Sequence, residues 1–111
     1  MPSIKLETSA NLSREEEARL ALEIANLAAA ELNKPLSVVQ VRVQGGLTVS
    51  FGDTVCSDSA FLHFALIGKI SPEVKSTLPE KFAVLLEKYG INKEHLFLHY
   101  TETAPDAWGW L

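Results

Sequence analysis

Apolar and polar residues alternate one by one through Ser3-Ile4-Lys5-Leu6-Glu7. This period of two predicts a strand over 3–8 with Ile4 and Leu6 on its buried face. The rhythm then lengthens: between Asn11 and Lys34, Leu20, Ile24, Leu27 and Ala28 recur at helical spacing. Ser13 with Glu16 three residues on has the form of a capping box, and the acidic residues that follow suit the positive end of a helix dipole. A helix therefore begins after Ser13 and ends near Asn33, ahead of Pro35. The β-branched, alternating SVVQVRVQ predicts a second strand. Gly45-Gly46 turns the chain, and LTVSF reads as a short strand in a small hairpin arm.

The same order returns in the second half, with SAFLHFALIGKI as an apolar strand, SPEVKSTLPEKFAVLLEKYG as a helix and HLFLHYTE as a last strand. Ser71 as N-cap and Pro72 in the first turn open this helix, Leu78, Phe82, Leu85 and Tyr89 form its core stripe, and Gly90 ends it. Pro79 lies inside it, which predicts a kink or a loose first turn before Thr77. Two β-α-β units with right-handed crossovers place two parallel strand pairs in one sheet. The expected class is α+β, a four-stranded mixed sheet with two helices on one face. Because FLHFALI and VVQVRV carry apolar residues facing both ways, the other face would be left bare, and association between copies is expected to cover it.

A chain of 111 residues with 47% hydrophobic and 22% charged residues fits one folded domain, 1–111, rather than a disordered segment. The net charge is −4 and the ten basic residues are scattered, so no electrostatic footprint for nucleic acid or anionic lipid is present. No basic-then-apolar leader occurs, and no apolar run approaches the roughly 20 residues that span a bilayer. A soluble, cytoplasmic protein with small-molecule or protein partners is expected. The lone Cys56 excludes an intrachain disulfide and a CxxC pair, and between Val55 and Ser57 it reads as structural. His63 falls on the AFLHFALI strand and His95 on the rim of the last. Neither has an acidic or cysteine partner at ligand spacing, so no metal site and no cofactor are expected.

Pro2 admits two readings. Proline is common near chain ends, where its missing N–H does no harm at the start of a strand. Alternatively, trimming of Met1 before this small residue leaves a prolyl secondary amine, a base available only at an N-terminus.

Taken in order, MP at the start, NKP after the first helix, SFG at the arm, IGKI after the AFLHFAL strand and WGW near the end resemble the macrophage migration inhibitory factor family of the tautomerase superfamily. The resemblance covers essentially the whole chain. It implies a homotrimer of two β-α-β units per subunit, with pockets at subunit interfaces, and keto–enol tautomerisation of small aromatic α-keto acids such as phenylpyruvate. It also implies Pro2 as the general acid/base, Lys34 and the backbone amide of Ile67 as anion binders, and Trp110 as a pocket wall. Without the resemblance, Lys34 reads as a solvated lysine at a helix C-terminus, and Trp108, which has no counterpart in the family pattern, reads as packing. An α-amine titrates at about 7.7–8.0 in a model peptide, so an apolar pocket or a nearby cation is needed to free it as a base at neutral pH.

Departures from the family pattern fall on the pocket wall. The last strand of well-known members carries a tyrosine and, two residues on, an asparagine, both facing a neighbouring subunit's pocket; here they are Phe97 and His99. Phe97 lacks a hydroxyl donor, and His99 adds a titratable group. Val38 stands where some members place an aromatic rim residue, and the chain ends at Leu111 without the short tail of many members. These changes keep a second function in view, a cytokine-like or protein-interaction module with a weak or vestigial pocket, which non-classical secretion would accompany. No additional positioned acid or basic cluster points to a related decarboxylase or dehalogenase.

Overall fold

In the computed structural model, which covers residues 1–111, the alternating segment forms β1 (Ser3–Thr8), with Ile4, Leu6 and Thr8 buried and the residues between them half-exposed. The first helix, α1 (Arg14–Leu32), is opened by a complete capping box: Ser13 Oγ accepts from Glu16 N–H at 3.1 Å, and Glu16 Oε1 accepts from Ser13 N–H at 3.0 Å. Asn33 ends it with φ 54°, a left-handed cap that asparagine tolerates better than most residues. The chain then passes through a 3-10 turn (Leu36–Val38) into β2 (Gln40–Gln44). The arm follows, with β3 (Val49–Phe51) and β4 (Thr54–Cys56) paired antiparallel to each other.

The second unit comprises β5 (Ala60–Ile67), α2 (Pro72–Glu87), a 3-10 turn (Lys93–His95) and β6 (Leu96–Thr103). The main sheet has the order β2-β1-β5-β6, with β1–β2 and β5–β6 parallel and β1–β5 antiparallel. This is the expected mixed sheet. Its buried face brings Ile4, Leu6, Leu62 and Phe64 against Leu20, Ile24 and Ala28 of α1 and Leu78, Phe82 and Leu86 of α2, so both helices cover the same side. No helix is long and apolar enough to cross a membrane.

Two local expectations need correction. The arm contains a strand, β4, that the pattern did not indicate, because Thr54 and Val55 are both exposed and leave no alternation to read. In α2, the loose first turn before Thr77 does not form: the helix is continuous from Pro72 through Pro79 to Glu87. Pro79 lies on the exposed face, while Leu78 and Phe82 on either side are fully buried and anchor the helix across it. Ser71 Oγ caps Val74 N–H, and the Ser76 and Thr77 hydroxyls donate back to the Glu73 and Val74 carbonyls, which holds the first turns together.

The face away from the helices is uncovered within the chain. It presents Arg42, Lys5, His63 and His99 in one row and Glu7, Phe61 and Phe97 in the next, since these positions are in register across the four strands. Phe61 and Phe97 are 41% and 58% exposed, an arrangement a lone sheet does not need.

Candidate active site

At the end of the sheet where β1 starts and β5 finishes lies a cleft of about 490 Å³ lined by Met1, Lys34, Val38, Ile67 and Trp110. The fold thus gathers four of the sequence-derived site residues and the neighbour of a fifth. Each arrives by a traceable route. Pro2 is fully buried ahead of β1, and its carbonyl accepts from Gln40 N–H at 3.0 Å, which ties the N-terminus to the start of β2. Lys34 follows the Asn33 cap, and its N–H donates to the Ala29 carbonyl at 3.0 Å, so the helix end fixes where its side chain departs. The 3-10 turn sets Val38 on the rim, and its carbonyl accepts from the Met1 amino group at 2.5 Å.

Ile67 is the last residue of β5, and Gly68 turns the chain with φ +87°, a conformation that strains any side chain. Gly68 N–H donates to the Thr103 carbonyl on the β6 side. Successive strand amides point to opposite edges, so the Ile67 N–H is directed toward the β1 side, beyond the last β1–β5 pair at Ser3–Ala65. Glu102 braces the following residues by accepting from Ile70 N–H at 2.7 Å and from Lys75 Nζ at 3.1 Å. Those two donors, Ile70 first, hold its carboxyl below the usual range.

Trp110 reaches the cleft because Trp108 is pinned. The half-buried Trp108 donates from Nε1 to Thr103 Oγ1 at 2.7 Å, and Thr103 in turn donates to the Leu66 carbonyl at 2.7 Å. Trp110 itself is 66% exposed and forms a wall rather than part of the core.

The electrostatics of the cleft rest on two nitrogens. Lys34 forms no ion pair, whereas Lys5, Lys75, Lys81 and Lys88 are each within ion-pair distance of a glutamate. An ammonium among four apolar residues lowers the affinity of a neighbouring amine for its proton. Burial, and after it the Lys34 charge, indeed hold the Met1 amino group below its ordinary value of 8.0. With Met1 removed, the titrating amine moves one residue deeper, onto the buried Pro2.

Phe97 and His99 do not join this cleft. They lie on the open sheet face, where the His99 ring stacks on His63 with centroids 5.3 Å apart and 19° between planes. His63 Nε2 is 2.7 Å from Thr101 Oγ1, and burial, then the neighbouring His99 and Arg42, lower its pKa. The sequence-based expectation that His95 lacks a partner is corrected: Asp58 Oδ1 is 2.8 Å from its Nδ1, and Cys56 lies in the same cluster. That juxtaposition spans 37 residues and depends on the Asp58 carbonyl accepting from Asn92 N–H at 2.9 Å, which no linear spacing reveals.

Known proteins place this architecture. No curated protein matches the chain by sequence. Among solved structures, Leishmania major MIF2 superimposes with a TM-score of 0.84 at 22% identity, over 99% of this chain and 93% of that one. A macrophage migration inhibitory factor-like protein from Entamoeba histolytica gives 0.88 at 24% identity, over 98% and 94%. Pt0534, crystallised after inactivation by 2-oxo-3-pentynoate, gives 0.84 at 13% identity, over 97% and 90%. At these identities the structures establish a shared fold. The sequence profile of macrophage migration inhibitory factor matches residues 1–111 throughout, and the chain therefore belongs to the macrophage migration inhibitory factor (MIF) family.

Proposed function

We propose that this protein is a keto–enol tautomerase of small aromatic α-keto acids such as phenylpyruvate, with the Pro2 amine, freed by removal of Met1, as the group that carries the proton. The observation that carries this reading is the unpaired Lys34 ammonium in an otherwise apolar cleft at the N-terminus, beside the buried Pro2. An amine that is neutral at working pH can take the proton from the carbon next to the ketone as the electron pair moves onto the carbonyl oxygen. The protonated proline then gives that proton to the enolate oxygen, and in the reverse direction it takes the enol O–H proton and delivers it to the carbon, so one group serves both steps. Lys34 neutralises the carboxylate or the developing enolate oxygen, and the Ile67 N–H offers a second donor from the β1 side. Val38, Ile67 and Trp110 supply the dry walls that suit an aryl group and keep the amine deprotonated.

The reading includes a homotrimer, in which Phe97 and His99 reach the cleft of an adjacent copy from the open sheet face. The bare Phe61 and Phe97 support such burial. That the structurally similar Pt0534 was inactivated by 2-oxo-3-pentynoate, a small α-keto acid, supports the substrate class. Ketonisation of enol-phenylpyruvate, followed by ultraviolet absorbance on untagged protein whose loss of Met1 is confirmed by mass, tests it beside Pro2→Gly. Turnover that collapses in Pro2→Gly is expected. A folded oligomer with no turnover would refute the tautomerase and favour the protein-interaction role instead.

A further inference from the structure

We propose that Cys56, Asp58 and His95 form a binding site for a zinc-like divalent cation, separate from the Lys34 cleft. Three chain segments bring these side chains together: the end of β4, the bend that follows it, and the 3-10 turn before β6. Their ligand atoms all lie within 4.8 Å of one another. Thiolate, imidazole and carboxylate are the three donor types that zinc accepts, and three protein ligands leave a fourth position for water or another ligand. Other first-row metals of similar softness fit the donors, while the hard cations magnesium and calcium do not favour a thiolate.

The geometry is near to what binding needs. Bonds of ~2.3 Å to sulfur and ~2.1 Å to nitrogen or oxygen put tetrahedral ligand atoms roughly 3.4–3.6 Å apart. The His95–Asp58 pair, 2.8 Å apart, has to open by roughly 0.6 Å to admit the ion, and Cys56 has to approach by roughly 1.2 Å at most. Cys56 is free to do so: its present contact is a weak one of 3.7 Å to the Thr54 carbonyl, and it sits on an arm whose strands pair only with each other.

The surroundings support and orient the ligands. Asp58 Oδ1 and His95 Nδ1 already face each other at 2.8 Å, so the two ligands are aimed at a shared point before an ion arrives. Phe51 packs on the His95 ring at 5.0 Å and on Phe97 at 5.4 Å, which restrains the imidazole. An ion here would clamp the β3–β4 arm to the start of β6, and through Phe51 it would stiffen the position of Phe97.

Untagged, reduced, chelator-treated protein titrated with Co²⁺ and, separately, with Zn²⁺ tests the proposal. One equivalent per chain is expected, with a thiolate-to-cobalt charge-transfer band that Zn²⁺ bleaches. Cys56→Ser abolishes the band, and Cys56→Ser, Asp58→Asn and His95→Gln each weaken Zn²⁺ binding by at least the ~10-fold that even outer-shell changes cost. Because a variant can fail by unfolding, circular dichroism accompanies each. A second readout uses the unaltered protein: bound Zn²⁺ slows alkylation of Cys56 by a maleimide. Absence of saturable uptake, uptake that persists in Cys56→Ser and His95→Gln, or alkylation indifferent to Zn²⁺ overturns the assignment.

Discussion

Replacing Lys34 by methionine keeps the stem and removes the charge, and it separates the proposed chemistry from mere packing. In the cleft this ammonium has no carboxylate partner, so its full donor capacity is available to a substrate anion. A hydrogen bond to a charged group is worth about 1.5–3 kcal/mol, which corresponds to a loss of about 10- to 150-fold in kcat/KM. A second effect has a definite sign. The Lys34 charge is one of the two causes that hold the Met1 amino group below its ordinary value, burial being the larger, and the same charge should act on the Pro2 amine that replaces it. Removing it raises the amine pKa, so the base stays protonated to higher pH and the acidic limb of the kcat/KM profile moves upward. Stability should fall by no more than the about 0.3–1 kcal/mol that a cation beside a helix C-terminus contributes, because the backbone bond from Lys34 N–H to Ala29 is kept. Phenylpyruvate kinetics across pH, with urea denaturation as a control, read all three quantities. An unchanged kcat/KM and an unmoved acidic limb would refute the role given to Lys34, as would an activity loss that merely follows unfolding.

Three further predictions concern the scaffold. Phe64 is fully buried, edge-on to Phe82 at 5.3 Å and tilted against Tyr100 at 5.4 Å. Phe64→Ala should cost about 3–5 kcal/mol in urea denaturation, a large part of the ~5–15 kcal/mol that holds a domain together. At the left-handed Asn33 cap, Asn33→Ala should cost about 1 kcal/mol while Asn33→Gly is neutral or stabilising, as thermal melts would show. Glu102 has a depressed pKa, so its contribution is full above the unfolded value of about 4.3 and fades as pH falls through the folded one. Wild type and Glu102→Gln should therefore differ most at neutral pH and converge in melting temperature as the solution is acidified.

Much of this architecture is legible in the chain because its periods are clean. Ser3–Thr8 alternates, α1 carries both a capping box and a helical apolar stripe, and α2 opens with Ser71-Pro72, so local chemistry and burial agree. The arm was harder, since β4 is three residues long and has no buried face of its own. Pro79 misled in one respect, because a local rule about helix interiors yields to the burial of Leu78 and Phe82 on either side of it. The cleft was legible only through the ordered family pieces, because Lys34 and Trp110 are brought together by tertiary contacts that no window contains. What places Trp110 at all is the Trp108–Thr103–Leu66 chain of hydrogen bonds, and no period or motif encodes it. The Cys56–Asp58–His95 cluster was missed for the same reason, its members meeting through the β5–β6 pairing that starts at Ala60 and Leu96 and the backbone bond from Asn92 to Asp58.

Catalysis by Pro2 requires a free, neutral N-terminal amine, and titration of the Pro2 nitrogen by ¹⁵N NMR in selectively labelled mature protein reads its state directly. The expected result is a signal from a terminal prolyl amine whose pKa lies clearly below the ~7.7–8.0 of a free α-amine, and which rises in Lys34→Met. A Pro2 nitrogen that titrates at or above that range, or one still in peptide linkage to Met1, would contradict it.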